Sequence, residues 1–257
     1  MNDPHSTRLS PSFPTTGPNA MNGKRSLLLD PAFSFPDPLD AGPEGLVAIG
    51  GDLSVPRLLL AYQRGIFPWY SEGEPIVWWS PDPRMIIEPE GLRVTRSLRK
   101  SLRNRGYEVS ADKAFPEVVQ ACAQAGERLS EGTWITTEMK AAFERLHRLG
   151  VAHSIEVWHN GRLVGGLYGL YLGAVFCGES MFSVERDASK VAMVHLVSHL
   201  KKRPFHFIDC QLPTEHLARL GGVSIPRRDF LKRLEAAIRI PTEFSLWKLE
   251  PAPSNPL

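Results

Sequence analysis

The chain has 257 residues, is 42% hydrophobic and 23% charged, and carries a formal net charge of +2 at pH 7. That size and composition suit one large globular domain or one domain with a small companion, and near-neutral charge confines any nucleic-acid contact to a local basic patch. No stretch approaches the ~18–20 apolar residues of a membrane span, and Cys122, Cys177 and Cys210 form no CxxC pair, which argues against a disulfide framework or a structural zinc site and suits a reducing cytosol.

The first twenty residues, MNDPHSTRLSPSFPTTGPNA, are rich in Pro, Ser and Thr and have no apolar segment of the kind a secretory signal needs. They read as a disordered extension, removable if translation starts at Met21. Residues 30–85 are heavy in Pro and Gly and read as a small, turn-rich, aromatic domain. One helix interrupts it. Ser54 caps that helix, Pro56 is tolerated in the first turn, Leu58, Leu59 and Tyr62 form its apolar face, and Gly65 ends it.

Residues 93–105, RVTRSLRKSLRNR, hold six basic residues and no acid. At helical spacing Arg96, Arg99, Lys100 and Arg103 share one face, opposite Val94, Leu98 and Leu102. Residues 112–124 and 137–149 read as amphipathic helices, the second with a Thr cap and Gly150 as its stop. After Gly150 the period changes to that of strands, at about 152–158, 162–171 and 174–180, with Asn160-Gly161 at a type I′ hairpin position. A helix at about 187–202, a strand at 206–211, a short helix near 214–220 and a last helix at 227–239 complete the pattern. The sum is an α+β fold rather than a dinucleotide-binding one.

Two acids sit in apolar strands: Glu179 in FCGESMFS (176–183) and Asp209 in FIDCQ (207–211). A carboxylate inside a sheet costs several kcal/mol unless paired or protonated. A nearby Arg or a backbone amide would pair either one and leave it structural. Two such acids on neighbouring predicted strands, with Ser180 and Gln211 close by, point instead to a shared site suited to positioning an amine or moving a proton. The basic run reads either as a solvated face or as a phosphate-binding surface, and the Trp-rich turns (Trp69, Trp78, Trp79, Trp134) as core or as a stacking platform for bases. No GxGxxG, GxxxxGK[ST] or HExxH occurs. His195 and His199 lie i,i+4 on one predicted helix but lack an apparent third metal ligand. These readings alone name no reaction.

The segments LVAIGGDLS (46–54), AYQRGIFPWYSEGEPIVWWSPDPR (61–84), GTWIT (132–136), AHSIEVW (152–158), LVGGLYG (163–169), FCGESMFS (176–183), ASK (188–190), IDCQ (208–211), HLARLGG (216–222) and IPRRDFL (225–231) together resemble the leucyl/phenylalanyl-tRNA–protein transferases of bacteria. The resemblance spans about 45–235. It implies a small N-terminal domain over 23–82 after a disordered extension (1–22), an N-acetyltransferase-like catalytic domain over 83–245 with a mixed, mostly antiparallel sheet, and a tail at 246–257. It implies transfer of Leu or Phe, less readily Met, from aminoacyl-tRNA to proteins with N-terminal Arg or Lys, which are thereby marked for degradation, by a cytoplasmic, monomeric enzyme with no cofactor and no metal.

By that resemblance Glu179, Asp209 and Gln211 are catalytic. Leu167, Phe176, Gly178, Met193 and Ile208 form the donor side-chain pocket. Tyr62, Trp69 and Trp134 flank the terminal adenosine, and Arg96, Arg99, Lys100 and Arg103 take the tRNA backbone. The chain departs from the family at Arg93, where His is common, at Val184-Glu185-Arg186, where Arg usually follows SMFS, and at Met193, where Leu is commoner. The alternatives are an acetyl-CoA-dependent N-acyltransferase, which the glycine-free junction SVERDASK (183–190) disfavours, and a non-catalytic RNA-binding module.

Overall fold

The structure, a computed structural model, describes residues 34–125 and 133–249. The expected N-terminal extension and the end of the expected tail lie outside the described residues.

The N-terminal part is more ordered than a turn-rich reading suggests. Strands β1 (Leu46–Ile49), β2 (Phe67–Pro68) and β3 (Val77–Trp79) make a small antiparallel sheet in the order β1-β3-β2. These strands are two to four residues long and built around Trp and Pro, so they carry no alternation to read. Helix α1 (Val55–Gln63) follows β1, with Pro56 in its first turn. Ser54 occupies the N-cap position but makes no side-chain cap bond. Asp52 accepts the Ser54 N–H instead, at 2.8 Å, and pairs with Arg57. Leu58, Ala61 and Tyr62 point inward. Gly65, with φ +71°, closes the turn; a Cβ there would meet the Leu231 side chain at 2.6 Å.

The main sheet has seven strands in the order β10-β4-β9-β8-β7-β6-β5. They are β4 (Arg84–Ile87), β5 (Glu108–Ala111), β6 (Ala152–His159), β7 (Arg162–Leu172), β8 (Val175–Ser183), β9 (Phe207–Asp209) and β10 (Val223–Ile225). Every pairing is antiparallel except β8 with β9. The α+β fold with a mixed, mostly antiparallel sheet is therefore borne out. The hairpin at Asn160-Gly161 has φ of +51° and +72°, as a type I′ turn requires. Strands β4, β5 and β10 are additional to the sequence reading, each only three or four residues long.

Both faces of the sheet are covered, which is why β6 and β7 are buried along most of their length rather than on alternate residues. On one face lie α1, α3 (Phe115–Ala123), α4 (Thr137–Arg148) and α7 (Arg227–Ile238), with Phe143, Tyr168, Cys177, Phe182 and Phe230 in the shared core. On the other lie α2 (Arg96–Asn104) and α5 (Ala188–Leu200), with Leu167, Phe176, Met193 and Ile208. A short helix, α6 (Glu215–Arg219), precedes β10. Trp247, in the stretch expected to be a tail, is 2% exposed. It stacks on His153 at 3.9 Å, and its backbone N–H donates to Asp112 at 2.6 Å, so the core extends past residue 246.

Helix α4 starts where Thr136 accepts the Met139 N–H at 3.1 Å while sharing a hydrogen bond with Tyr70 at 3.3 Å. Replacing Thr136 by Ala is expected to cost about 1 kcal/mol in urea unfolding. An unchanged midpoint and slope would show that water replaces the cap.

Candidate active site

The pairing of β8 with β9 lasts for three residues, Val175–Cys177 against Phe207–Asp209. Strand β8 then runs on to Ser183 while β9 ends. The two chains diverge, and a cavity of about 510 Å³ opens between them. Gly178, Glu179, Ser180 and Met181 line one side, and Cys210, Gln211, Leu212 and Thr214 the other. Leu167, Phe176, Met193 and Ile208 make an apolar wall, while Trp69 and Trp134 stand at another, half-buried, with centroids 6.3 Å apart.

Glu179 reaches this cavity because β8 carries a bulge. Tyr168 of β7 pairs with Ser180 and Gly169 with Gly178, so Glu179 is the extra residue opposite no partner. Side chains change faces there. Phe176 packs with the α5 side and Cys177 with the α3 side, yet beyond the bulge Met181 is on the α5 side and Phe182 on the α3 side. The crossing is tight: a Cβ on Gly169 would lie 2.2 Å from the Cys177 carbonyl oxygen, so only glycine fits.

Glu179 is 8% exposed, and its Oε1 accepts the Gln211 side-chain amide at 2.9 Å. Burial pushes its carboxyl up to about 8. The Tyr62 hydroxyl beside it, Arg84 and Gln211 favour the ionised form, the Asp209 charge opposes it, and burial prevails. Tyr62 in turn is pushed well above its ordinary value by burial and then by the Glu179 charge; its hydroxyl makes no hydrogen bond of good geometry.

Asp209 is 1% exposed and lies one layer behind. Arg84, which opens β4 and is itself 1% exposed, grips it in two parallel hydrogen bonds: Nε to Oδ1 at 2.8 Å and Nη2 to Oδ2 at 2.7 Å. The guanidinium lies over the rings of Phe67 and Phe230, at 4.9 and 4.5 Å. Asp209 Oδ1 also accepts the Gln211 backbone N–H at 2.9 Å. Gln211 has φ +62°, a left-handed conformation rare for a non-glycine residue. That turn faces its N–H toward Asp209 and its amide toward Glu179, and such strain collects at functional sites. Arg84, Asp209, Gln211 and Glu179 thus form one chain of hydrogen bonds running to the cavity wall.

The cavity brings together Glu179, Gln211, Leu167, Phe176, Gly178, Met193, Ile208, Trp69 and Trp134. Two expected site residues stand elsewhere. Tyr62 is 2% exposed, so it cannot flank an adenosine; the helical spacing that turns Leu58 inward turns it inward too, behind Glu179. Asp209 does not line the cavity, and the pairing to an arginine that would leave an acid structural is the one it makes. The basic residues Arg96, Arg99, Lys100 and Arg103 are all exposed on α2, which docks on α5 through Leu98 and through Ser101 donating to Asp187 at 2.8 Å. Trp78 is fully buried, its Nε1 donating to the Gly50 carbonyl at 2.9 Å, so the tryptophans divide into core and cavity wall.

Sequence reasoning missed Arg84, although a lone arginine opening the apolar run Met-Ile-Ile signals a buried countercharge. It also missed Met181, which simple alternation assigns to the opposite face. Among the described residues no group of three or more His, Cys, Asp or Glu could hold a metal ion, and no helix is long and apolar enough to cross a membrane.

Comparison with known proteins bears on what this cavity does. The family described as leucyl/phenylalanyl-tRNA protein transferase matches residues 86–235, and its N-terminal domain matches 51–82. A leucyl/phenylalanyl-tRNA–protein transferase of Anaeromyxobacter dehalogenans is 52% identical over 85% of this chain and 94% of its own. That of Nitratidesulfovibrio vulgaris is 52% identical over 87% and 95%, and that of Chromobacterium violaceum 56% identical over 80% and 88%. Among solved structures, a conserved protein of unknown function from Staphylococcus epidermidis aligns with 70% of this chain and 67% of its own, at 12% identity and a TM-score of 0.39. On the family match over 86–235 and relatives 52–56% identical over most of their length, the chain belongs to the leucyl/phenylalanyl-tRNA protein transferase family.

Proposed function

We propose that this protein transfers leucine or phenylalanine, and methionine less readily, from aminoacyl-tRNA to the α-amino group of proteins whose N-terminus is Arg or Lys, marking them for degradation. One observation carries the reading: a single cavity joins an apolar wall, a tryptophan pair and a buried acid–amide network. An aminoacyl ester is already activated, so the enzyme's task is to order two reactants and remove a proton, and ordering alone supplies several kcal/mol.

The donor side chain enters between Leu167, Phe176, Met193 and Ile208. Gly178 leaves room there, since a Cβ would find its nearest atom at 3.6 Å. Methionines, Met193 and also Met181, adapt to both Leu and Phe. Selectivity against a β-branched side chain is modest in such a wall, about 1–3 kcal/mol. Trp69 and Trp134 receive the terminal adenosine, and Glu179, Gln211 and Asp209 order the amine. The α2 face holds the acceptor-stem phosphates without reading sequence. No cofactor enters this scheme, and we expect a cytoplasmic monomer.

The direct test incubates the full chain with leucyl-, phenylalanyl- and valyl-tRNA and a reporter protein beginning with Arg. Label should pass from the first two and much less from the third. Equal labelling from all three, or tight acetyl-CoA binding without any transfer, would refute the reading. Replacing Arg96, Arg99, Lys100 and Arg103 together by Ala should weaken tRNA binding and flatten its dependence on log salt by a slope of roughly 3–4. An unchanged slope would place the RNA elsewhere.

A further inference from the structure

The family resemblance implies that Asp209 and Gln211 form a relay that accepts or passes the acceptor's proton, with Glu179 orienting the amine or the aminoacyl group. The geometry divides the labour differently. We infer that Glu179 is the proton acceptor of the reaction, and that Arg84 and Asp209 are positioning residues that hold Gln211 and, through it, Glu179. This rests on the aminoacyl transfer proposed above and deepens it.

Three observations carry the assignment. Glu179 lines the cavity and Asp209 does not. Both Asp209 oxygens are already engaged, Oδ1 by Arg84 Nε and the Gln211 N–H and Oδ2 by Arg84 Nη2, so protonating Asp209 would break a buried pair. Gln211 carries a non-basic amide, and its nitrogen donates to Glu179 Oε1 at 2.9 Å, so it orients Glu179 rather than holding a proton. Within this hydrogen-bonded network the carboxyl at the wall is Glu179, set by a bulge whose geometry only Gly169 permits; Glu72, exposed and accepting the Thr137 N–H at 3.3 Å, and His216 line the cavity outside the network.

The chemistry matches. The acceptor arrives as an ammonium whose pKa is about 7.7–8.0. The Glu179 carboxylate takes one proton and leaves a neutral amine. The amine lone pair then attacks the ester carbonyl carbon. As the N–C bond forms and the bond to the ribose oxygen breaks, the second nitrogen proton passes to that departing oxygen. The products are an amide and a free ribose hydroxyl, and Glu179 returns its proton to solvent. Proton transfer between groups of similar affinity is nearly level in energy, as an efficient general base requires.

The groups facing Glu179 set its response. Tyr62 acts on it from α1, Cys177 from its own strand, Asp209 from β9 and Arg84 from β4, and Glu72, Tyr168, Cys210 and His216 line the same cavity. The Asp209 charge holds Glu179 up and Arg84 pulls it down. Removing the Asp209 charge should therefore shift Glu179 to lower pH without abolishing its titration.

The experiment uses a hydrazide-bearing acceptor peptide, whose nucleophile stays unprotonated from pH 5 to 9, with leucyl-tRNA as donor. With no ammonium to deprotonate, Glu179 takes the proton that attack releases and hands it to the departing ribose oxygen. The wild-type rate should rise with pH to a plateau, with its midpoint near 8. Glu179→Gln should be slower by about 10²–10⁴-fold and flat with pH. Asp209→Asn should be slow but keep the limb, displaced to lower pH. In parallel, carbon NMR of glutamate-labelled protein should show one carboxyl titrating near 8 that Glu179→Gln removes. A limb that survives in Glu179→Gln and vanishes in Asp209→Asn, or one that survives unmoved in both, overturns the assignment. So does a Glu179 that titrates in the ordinary carboxylate range in an enzyme that transfers. A wild-type chain inert with every charged tRNA refutes transfer itself, and this role with it.

Discussion

Replacing Arg84 by Met is expected to lower the unfolding free energy by about 3–5 kcal/mol, the largest loss from a single exchange at this site. The reason is what it leaves behind. Asp209 is 1% exposed, and among the described residues its charged partner at hydrogen-bond distance is that guanidinium, at 2.7 and 2.8 Å. Without it a carboxylate is stranded in a core whose strand neighbours are Phe207 and Ile208. Much of the loss belongs to the stranded charge rather than to the pair, because forming a buried pair recovers little beyond its own desolvation. The double exchange Arg84→Met with Asp209→Leu should accordingly regain most of the lost stability. Urea unfolding of the wild type, the two single variants and the double variant closes the cycle. A double variant that stays as unstable as Arg84→Met alone would show that the pair is favourable in its own right, and one as unstable as the sum of its parts would show no coupling between the two residues. Either way transfer should be lost, since Gln211 no longer has Asp209 to hold its N–H.

The second expectation concerns pH. In the native chain Glu179 binds its proton up to about 8, whereas the unfolded chain releases it near 4.5. Between those values the native state carries the extra proton, so stability falls as pH rises. Histidines held below their ordinary value act in the opposite sense. Burial first, and then nearby cations, lower His199 to about 4, and burial lowers His153, His195 and His216. Their contribution grows as pH climbs to about 6.5, the ordinary imidazole value, and is constant above it. The window from 6.5 to 8 therefore belongs to Glu179, and the drop across it should be about 1.5 kcal/mol. Glu179→Gln removes the titration and should leave stability level there. Denaturant midpoints at half-unit pH steps measure both chains. A wild type whose stability is level from 6.5 to 8 would mean that Glu179 is already ionised at neutral pH.

Much of this molecule is legible in its residues. Long apolar or alternating runs, caps and glycine stops place α4, α5, α7 and the meander β6–β8 to within a few residues, because those signals act over one or two turns of chain. The oddity of Glu179 and Asp209 is equally visible, since an acid amid Phe, Ile, Cys and Met carries a cost that demands an explanation. The basic run marks the exposed charge of α2, and the family resemblance marks the apolar wall.

Which acid faces the cavity was not open to such reading. It turns on a one-residue bulge opposite Gly169, and a bulge reverses the inside–outside order of every residue beyond it without altering composition or period. Nor could local pattern pair Asp209 with an arginine 125 positions earlier, or turn Tyr62 behind Glu179 instead of toward a base. Those are contacts between elements distant in sequence, chosen by where strands diverge and how helices pack. The chain alone determined that two carboxyls needed partners; only the packed sheet decided that one would be neutralised and the other left at the cavity wall.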